Sequence, residues 1–237
     1  MRKCILIASI LIMGFGAKAQ VNDIPLIGNK FTFGINAGLS LPIGDFAADY
    51  APTHYGSTGT LNGAANAGFH YDIYGGFKYS KLIGIMFQYG ANNNSINNSG
   101  ITTDPGGVAS SSGGYTSMEY LGGFYISIKF IKIKIEAKFL GGLVSCNYPT
   151  LTVKEYGLSI IEAFQNGSGF GYCGGLKIKY MMIGELLGVG LGVNYMGSAV
   201  KYPGWTDDIV GLQTLSNSSV KMSIGILQAT LGLSLDI

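Results

Sequence analysis

The stretch Leu187-Gly-Val-Gly-Leu-Gly-Val-Asn-Tyr195 decides the fold. Leu187, Val189, Leu191, Val193 and Tyr195 share one face, and Gly188, Gly190, Gly192 and Asn194 share the other. A repeat of two belongs to a β-strand, because successive side chains leave a strand on opposite sides; a helix repeats every 3.6 residues. Working outward, the same repeat returns. Phe31 to Ser40, Phe69 to Tyr79, Ile83 to Gly90, Phe170 to Tyr180 and Leu227 to Ile237 alternate in this way. Met118 to Phe130 and Ile131 to Leu143 alternate too, with Glu119, Lys129, Lys132, Lys134, Glu136 and Lys138 on their polar faces. Eight strands of about 9 to 14 residues are expected, and a tilted transmembrane strand needs about 9 to 11.

The connections follow a second rule. Residues 80–82, 130–132 and 181–183 are tight turns, whereas 41–65, 92–114, 146–167 and 197–219 are long. Short and long connections alternate along the chain. The expected fold is all-β: an eight-stranded antiparallel up-and-down transmembrane β-barrel with short periplasmic turns and long outer loops. The aromatic residues fit that topology independently. Outward Phe31, Tyr79, Phe130 and Tyr180 fall at the periplasmic end, and Tyr71, Tyr89, Tyr120, Tyr172 and Tyr195 at the outer end, where interfacial girdles belong. A soluble exported barrel or a β-sandwich would show its polar faces to water. Here those faces carry many Gly and few charges, a poor aqueous coat.

Composition excludes other classes. Gly is 38 of 237 residues and charged residues are 12%, against 47% hydrophobic. Disordered chains need more charge, and helical bundles do not tolerate so much Gly, which costs about 1 kcal/mol per helix-interior position. The chain opens with Met1-Arg-Lys3, an apolar run from Cys4 to Phe15, and Ala17-Lys-Ala19. That order is read as a cleaved signal peptide over 1–19, followed by a short periplasmic segment, 20–30, and the barrel, 31–237. Cleavage removes Arg2, Lys3 and Lys18, so 12 Lys face 13 Asp and Glu, and the net charge becomes −1. With no Arg left, nucleic acid is not an expected partner.

The stretch Gly34-Ile-Asn-Ala-Gly-Leu-Ser-Leu-Pro-Ile-Gly-Asp-Phe46 resembles the opening of the outer-membrane β-barrel domain common in Bacteroidota, as does the Ala17-Lys-Ala-Gln20 end of the leader. Leu231-Gly-Leu-Ser-Leu-Asp-Ile237 resembles that family's last strand. Over 20–237 the chain is similar to small eight-stranded barrels of the OmpA/OmpX kind. The resemblance implies location in the bacterial outer membrane, with outer-membrane lipids and the barrel-assembly machinery as partners. One departure stands out: such barrels usually end in an aromatic that the machinery reads, and this chain ends in Ile237.

Parity then selects a candidate site in the lumen. The inward charges are Asp72, Lys78, Glu119, Lys129, Lys132, Lys134, Glu136, Lys138, Lys177, Lys179 and Asp236, seven Lys against four acids. Buried charges must pair, so the first reading is an ionic plug in a barrel with a structural or surface-interaction role. The alternative is a small pore or transporter with a Lys-rich periplasmic mouth. A third reading is a lipid-modifying enzyme built on His70 and Asp72, or on His54 near Asp49 and Ser57; no spacing signature supports it, and the chain is expected not to be an enzyme. Cys146 and Cys173 have inward parity on neighbouring strands, so a disulfide and two free thiols are both open to them. No metal-ligand spacing and no phosphate loop occur, so no cofactor is expected. The Asn92–Gly100 and Ser110–Gly114 stretches are read as polar, flexible loops that could carry an unknown surface ligand, and Trp205 as a residue of the last loop.

Overall fold

The computed structural model describes residues 30–49, 60–101, 108–155, 158–183, 186–210, 213–217 and 219–237. The expected leader 1–19, residues 20–29 of the expected N-terminal segment, and His54 lie outside the described residues. In chain order the strands are β1 (Phe31–Ile43), β2 (Thr60–Leu61), β3 (Ala65–Lys78), β4 (Ile83–Ile96), β5 (Val108–Ser112), β6 (Gly114–Phe130) and β7 (Ile133–Asn147). They continue with β8 (Thr150–Glu155), β9 (Leu158–Phe164), β10 (Gly167–Met181), β11 (Leu187–Tyr202), β12 (Trp205–Ile209), β13 (Gln213–Asn217) and β14 (Val220–Asp236).

Eight of these make the barrel, in the order β1-β3-β4-β6-β7-β10-β11-β14. β14 then pairs antiparallel with β1, from Thr32 opposite Asp236 to Ile43 opposite Gly225, and closes the sheet. Closure matters because a strand edge left in lipid would strand backbone N–H and C=O groups without partners. The seam continues to the last residue: the Ile237 N–H donates to Phe31 O at 2.8 Å and the Phe31 N–H to Ile237 O at 2.7 Å. The terminal Ile237 is thus paired with an aromatic neighbour.

The periplasmic strand ends fall where the alternation places them. The outer ends run further than expected. β4 continues to Ile96, β11 to Tyr202, and β14 begins at Val220 rather than Leu227. The reason is a change of phase. In the lower part of β14, Leu227, Leu231, Leu233 and Leu235 point outward while Gln228, Thr230, Ser234 and Asp236 are buried. In its upper part Val220, Met222, Ile224 and Ile226 are buried and Lys221 and Ser223 are exposed. The strand carries on, but its apolar face changes sides.

The long connections are also more ordered than expected. Three of them contribute to a second antiparallel sheet, β13-β12-β9-β8-β5, which with the upper barrel forms a crown. Asn92 and Asn94 lie inside β4 and are buried, and Ser110 to Ser112 lie in β5, so these parts of the two stretches are strand rather than loop. Short strands of mixed polarity carry no strong periodic signal of their own, which is why composition alone reads as loop. The crown has an aromatic core. Tyr115 packs on Phe46 at 5.0 Å and on Tyr148 at 5.1 Å, and Tyr148 packs on Tyr202 at 5.6 Å between ring centroids. Trp205 is buried and stacks on Phe164 at 5.4 Å; it is a core residue of the crown, not a surface contact.

Candidate functional site

An eight-stranded barrel is just wide enough for its inward side chains to fill it. Nearest the periplasmic end they form an ionic quartet. Lys134 on β7 and Lys179 on β10 are register partners, so two positive charges stand opposite each other, which is destabilising unless acids intervene. Lys134 Nζ lies 2.7 Å from Asp236 Oδ2 and 3.0 Å from Glu136 Oε1. Lys179 Nζ lies 2.9 Å from Glu136 Oε2 and 3.9 Å from Asp236 Oδ1. All four residues are buried. Asp236 comes from β14, so the quartet ties the last strand to β7 and β10.

Above it, two tyrosines lie over glycine on the neighbouring strand, Tyr74 opposite Gly34 and Tyr125 opposite Gly84. A methyl group at Gly34 would overlap the Tyr74 ring, and one at Gly84 the Tyr125 ring. This close approach explains part of the glycine on the inward faces. Lys177 Nζ donates to Asn36 Oδ1 at 2.6 Å and to Tyr74 OH at 3.0 Å, and sits 4.7 Å from the Tyr74 ring centre. Lys138 Nζ donates to Gln88 Oε1 at 2.6 Å.

The next layer is a hydrogen-bonded network around His70. Its Nε2 lies 2.9 Å from Asp72 Oδ2 and its Nδ1 2.8 Å from Asn92 Oδ1. Asn92 Nδ2 donates to Glu119 Oε1 and, at 3.2 Å, to Ser117 Oγ. Those bonds orient the amide, so both ring nitrogens of His70 face oxygen acceptors. Gln228 Nε2 donates to Glu119 Oε1 at 2.8 Å and Asn92 Oδ1 at 3.2 Å. Asp72 also accepts from Asn36 Nδ2 at 2.6 Å, which joins this layer to the one below. A cavity of about 20 Å³ lies between Asn36, Lys177 and Asn194, room for about one water molecule. Higher still, Ser40 Oγ donates to Asn94 Oδ1 at 2.9 Å, and the aromatic crown begins. There, outside the membrane span, burial pushes the Tyr202 phenol up, so it stays neutral.

The structure sorts the parity-selected residues. Lys134, Lys138, Lys177 and Lys179 meet Asp72, Glu119, Glu136 and Asp236 in the lumen, four charges of each sign. The expected surplus of three sits below them. Lys78 is half-buried at the mouth, while Lys129 and Lys132 are exposed at the rim, Lys132 in the turn itself. Those two lysines are therefore corrected from lumen to rim: Lys132 precedes the start of β7 at Ile133, and Lys129, next to the last residue of β6, lies too near the end of the barrel to be enclosed. Sequence reasoning missed the neutral partners Asn36, Gln88, Asn92 and Gln228. Their signal was amide residues at inward parity, where no charged partner was sought.

Of the two alternatives open to the cysteines, the geometry favours free thiols. Cys146 stands opposite Gly167, and Cys173 opposite Leu140. At about 3.3 Å per residue, the six ladder steps from Gly167 to Cys173 put the thiols roughly 20 Å apart; both are free. The hydroxyl in the His70 network, Ser117, bonds Asn92 rather than His70, so the described residues do not assemble a Ser–His–Asp relay. Among the described residues no group of three or more His, Cys, Asp or Glu could hold a metal ion.

Comparison with known proteins gives fold-level likeness. No protein family and no curated protein matches the sequence. Among solved structures, a major outer membrane protein of Thermus thermophilus aligns at 8% identity and TM-score 0.46, over 87% of this chain and 99% of that one. Ail, the attachment invasion locus protein of Yersinia pestis, aligns at 9% and 0.42, over 88% and 100%. Neisserial surface protein A aligns at 13% and 0.38, over 87% and 97%. At such identities these likenesses concern the fold alone. The chain's own geometry is more telling: Phe87, Phe139, Phe170 and Leu191 are each about two-thirds exposed on a wall closed in every direction. An outward apolar belt around a charged interior makes this molecule a membrane-spanning β-barrel of the outer-membrane type.

Proposed function

We propose that the chain is an integral outer-membrane barrel whose lumen does not conduct and whose working surface is the crown. One observation carries this reading: the lumen is crossed at successive levels by the Lys134–Glu136–Lys179–Asp236 quartet and the His70–Asn92–Glu119–Gln228 network, with a cavity of about 20 Å³ between them. A hydrated ion path needs continuous space, and side chains crossing the lumen at successive levels oppose one. The role is structural or surface-interacting, through an unidentified ligand of the crown, and not enzymatic. Outer-membrane lipids and the barrel-assembly machinery complete the set of partners, in keeping with the resemblance of Gly34–Phe46 to the Bacteroidota barrel domain.

The test is planar-bilayer recording on the refolded mature protein. No stable unitary current is expected; a steady current would overturn the reading. A second reading, a small pore, is favoured by the exposed Lys129 and Lys132 and the half-buried Lys78 at the periplasmic mouth. It requires such a current with anion preference, lost on Lys78→Gln.

A further inference from the structure

The periplasmic rim carries an anomaly that the lumen does not explain. Ile131, at the tip of the β6–β7 turn, is 91% exposed and has φ +52°. A β-branched residue in the left-handed region is strained, and Asn or Gly would avoid that strain. In water an exposed isoleucine gains nothing in return. The pattern repeats at the other turns: Leu82 and Ile183 are also largely exposed at or beside the tips. Each tip lies only a few residues beyond the lipid-facing belt, which ends in the exposed Tyr79, Phe130 and Tyr180. The apolar tips are continuous with the lipid interface.

Lysines are interleaved with these tips, on one side. Lys30 precedes β1, Lys81 lies in the β3–β4 turn and Lys132 in the β6–β7 turn, all exposed. In the barrel order β1-β3-β4-β6-β7 they form one continuous arc. The β10–β11 connection, 182–186, has no lysine and one acid, Glu185. The lumen acids are engaged above, with Lys134, Lys179, Asn36 and Asn92. Positive charge at headgroup depth, beside apolar residues that enter the acyl boundary, is the chemistry that recognises a phosphate-bearing lipid head.

We propose that the arc Lys30–Lys81–Lys132, with Ile131 and Leu82 as apolar anchors, binds the headgroups of anionic phospholipid in the periplasmic leaflet. The proposal rests on the outer-membrane reading and names the lipid class that this rim selects. An acidic periplasmic protein is the other occupant of matching charge. Continuity of the tips with the aromatic girdle favours lipid, since a protein partner has no need of anchors placed at the membrane surface.

The experiment places the folded barrel in nanodiscs of equal parts phosphatidylcholine and phosphatidylglycerol and counts the lipids it retains by native mass spectrometry. Phosphatidylglycerol should be enriched on the wild type. The Lys81→Gln, Lys132→Gln double variant should lose about fivefold of that enrichment per lysine. Ile131→Asn, which relieves the backbone, should fold at least as well yet retain fewer lipids of either kind. Equal retention of both lipids by the wild type, or an enrichment unchanged in the double variant, would overturn the proposal. So would a rim indifferent to phosphatidylglycerol that captures poly-glutamate. A chain that enters no vesicle of any composition, and shows no heat-modifiable gel shift, would instead overturn the outer-membrane reading itself.

Discussion

Val220 to Ile226 and Leu227 to Asp236 belong to one unbroken strand, yet they obey opposite rules. Below the switch, leucines face out and Gln228, Thr230, Ser234 and Asp236 face in. Above it, Met222, Ile224 and Ile226 face in while Lys221 and Ser223 face out. β11 makes the same turn-about: Leu191 and Val193 are outward below, Met196, Val200 and Tyr202 inward above. The backbone ladder is the same in both halves; only the solvent around it differs. In lipid the apolar face must be outside, and the interior must satisfy charge. In water the apolar face must be inside. The switch between Ile226 and Leu227 therefore marks the upper boundary of the membrane. It also predicts that the halves are held together by different forces, hydrogen-bonded charge below and packing above.

The largest effect should come from breaking the lower half. Glu136→Leu removes the acid shared by Lys134 and Lys179 and leaves two buried ammonium groups with Asp236 alone. Stranding a buried charge costs about 3–5 kcal/mol. Urea unfolding in vesicles should shift by that amount, with the folded, heat-modifiable band weakened. Lys132→Gln, at the exposed rim, should move stability by less than about 0.5 kcal/mol. If the two variants behave alike, the quartet is not what holds the lower half.

The upper half should break by packing. Met222 is fully buried in the crown, and Met→Ala in a core costs about 2–5 kcal/mol through lost burial and the cavity left behind. The loss should be local. Fluorescence of Trp205, the chain's one tryptophan, should report an opened crown while the barrel keeps its heat-modifiable shift. Coincident loss of both signals would show a single cooperative unit instead.

The boundary itself can be tested on one face of one strand. Leu231 and Ser223 both point outward from β14, below and above the switch. Leu231→Lys places a charge in hydrocarbon and should cost about 2–4 kcal/mol, falling to about 0–1 near the interface. Ser223→Lys should sit at the low end of that range. Equal costs would move the membrane boundary.

This reversal also accounts for how much of the molecule could be read from sequence. Alternation with leucines outward identified all eight barrel strands, because lipid imposes the pattern on each. Parity then placed Asp72, Glu119, Lys134, Glu136, Lys138, Lys177, Lys179 and Asp236 in the lumen, since a strand fixes which side a residue takes. Parity cannot say how deep in the barrel a residue sits or where a strand stops, so Lys129, near the end of β6, and Lys132, in the turn, were placed inside when they lie on the rim. It cannot give the stagger between strands, so the six-step offset of Cys146 and Cys173 stayed hidden. The crown was hidden because its strands are short and its apolar phase is reversed. Asn92 and Asn94 look like loop residues, and only a filled lumen gives their amides buried partners.

The two cysteines allow the smallest and cleanest test, because each reports on one half. Cys146 packs beside Tyr202 in the crown, whereas Cys173 faces the lumen near Lys138 and Glu119. Both are buried, so neither should react with maleimide in the folded protein, and reductant should not change gel mobility. Mild denaturant should then separate them. The crown is bounded by short strands open to water, and regions of that kind open locally before the global transition. The barrel is closed by an unbroken ladder whose opening in lipid would strand backbone groups. Cys146 should therefore be labelled while Cys173 is still protected, as read on Cys146→Ala and Cys173→Ala single-thiol variants. Met222→Ala should speed labelling of Cys146 and leave Cys173 unchanged, and Glu136→Leu should expose Cys173. If Cys173 reacts first in the wild type, the lower half is the weaker one, and the division of forces drawn from the phase reversal is wrong.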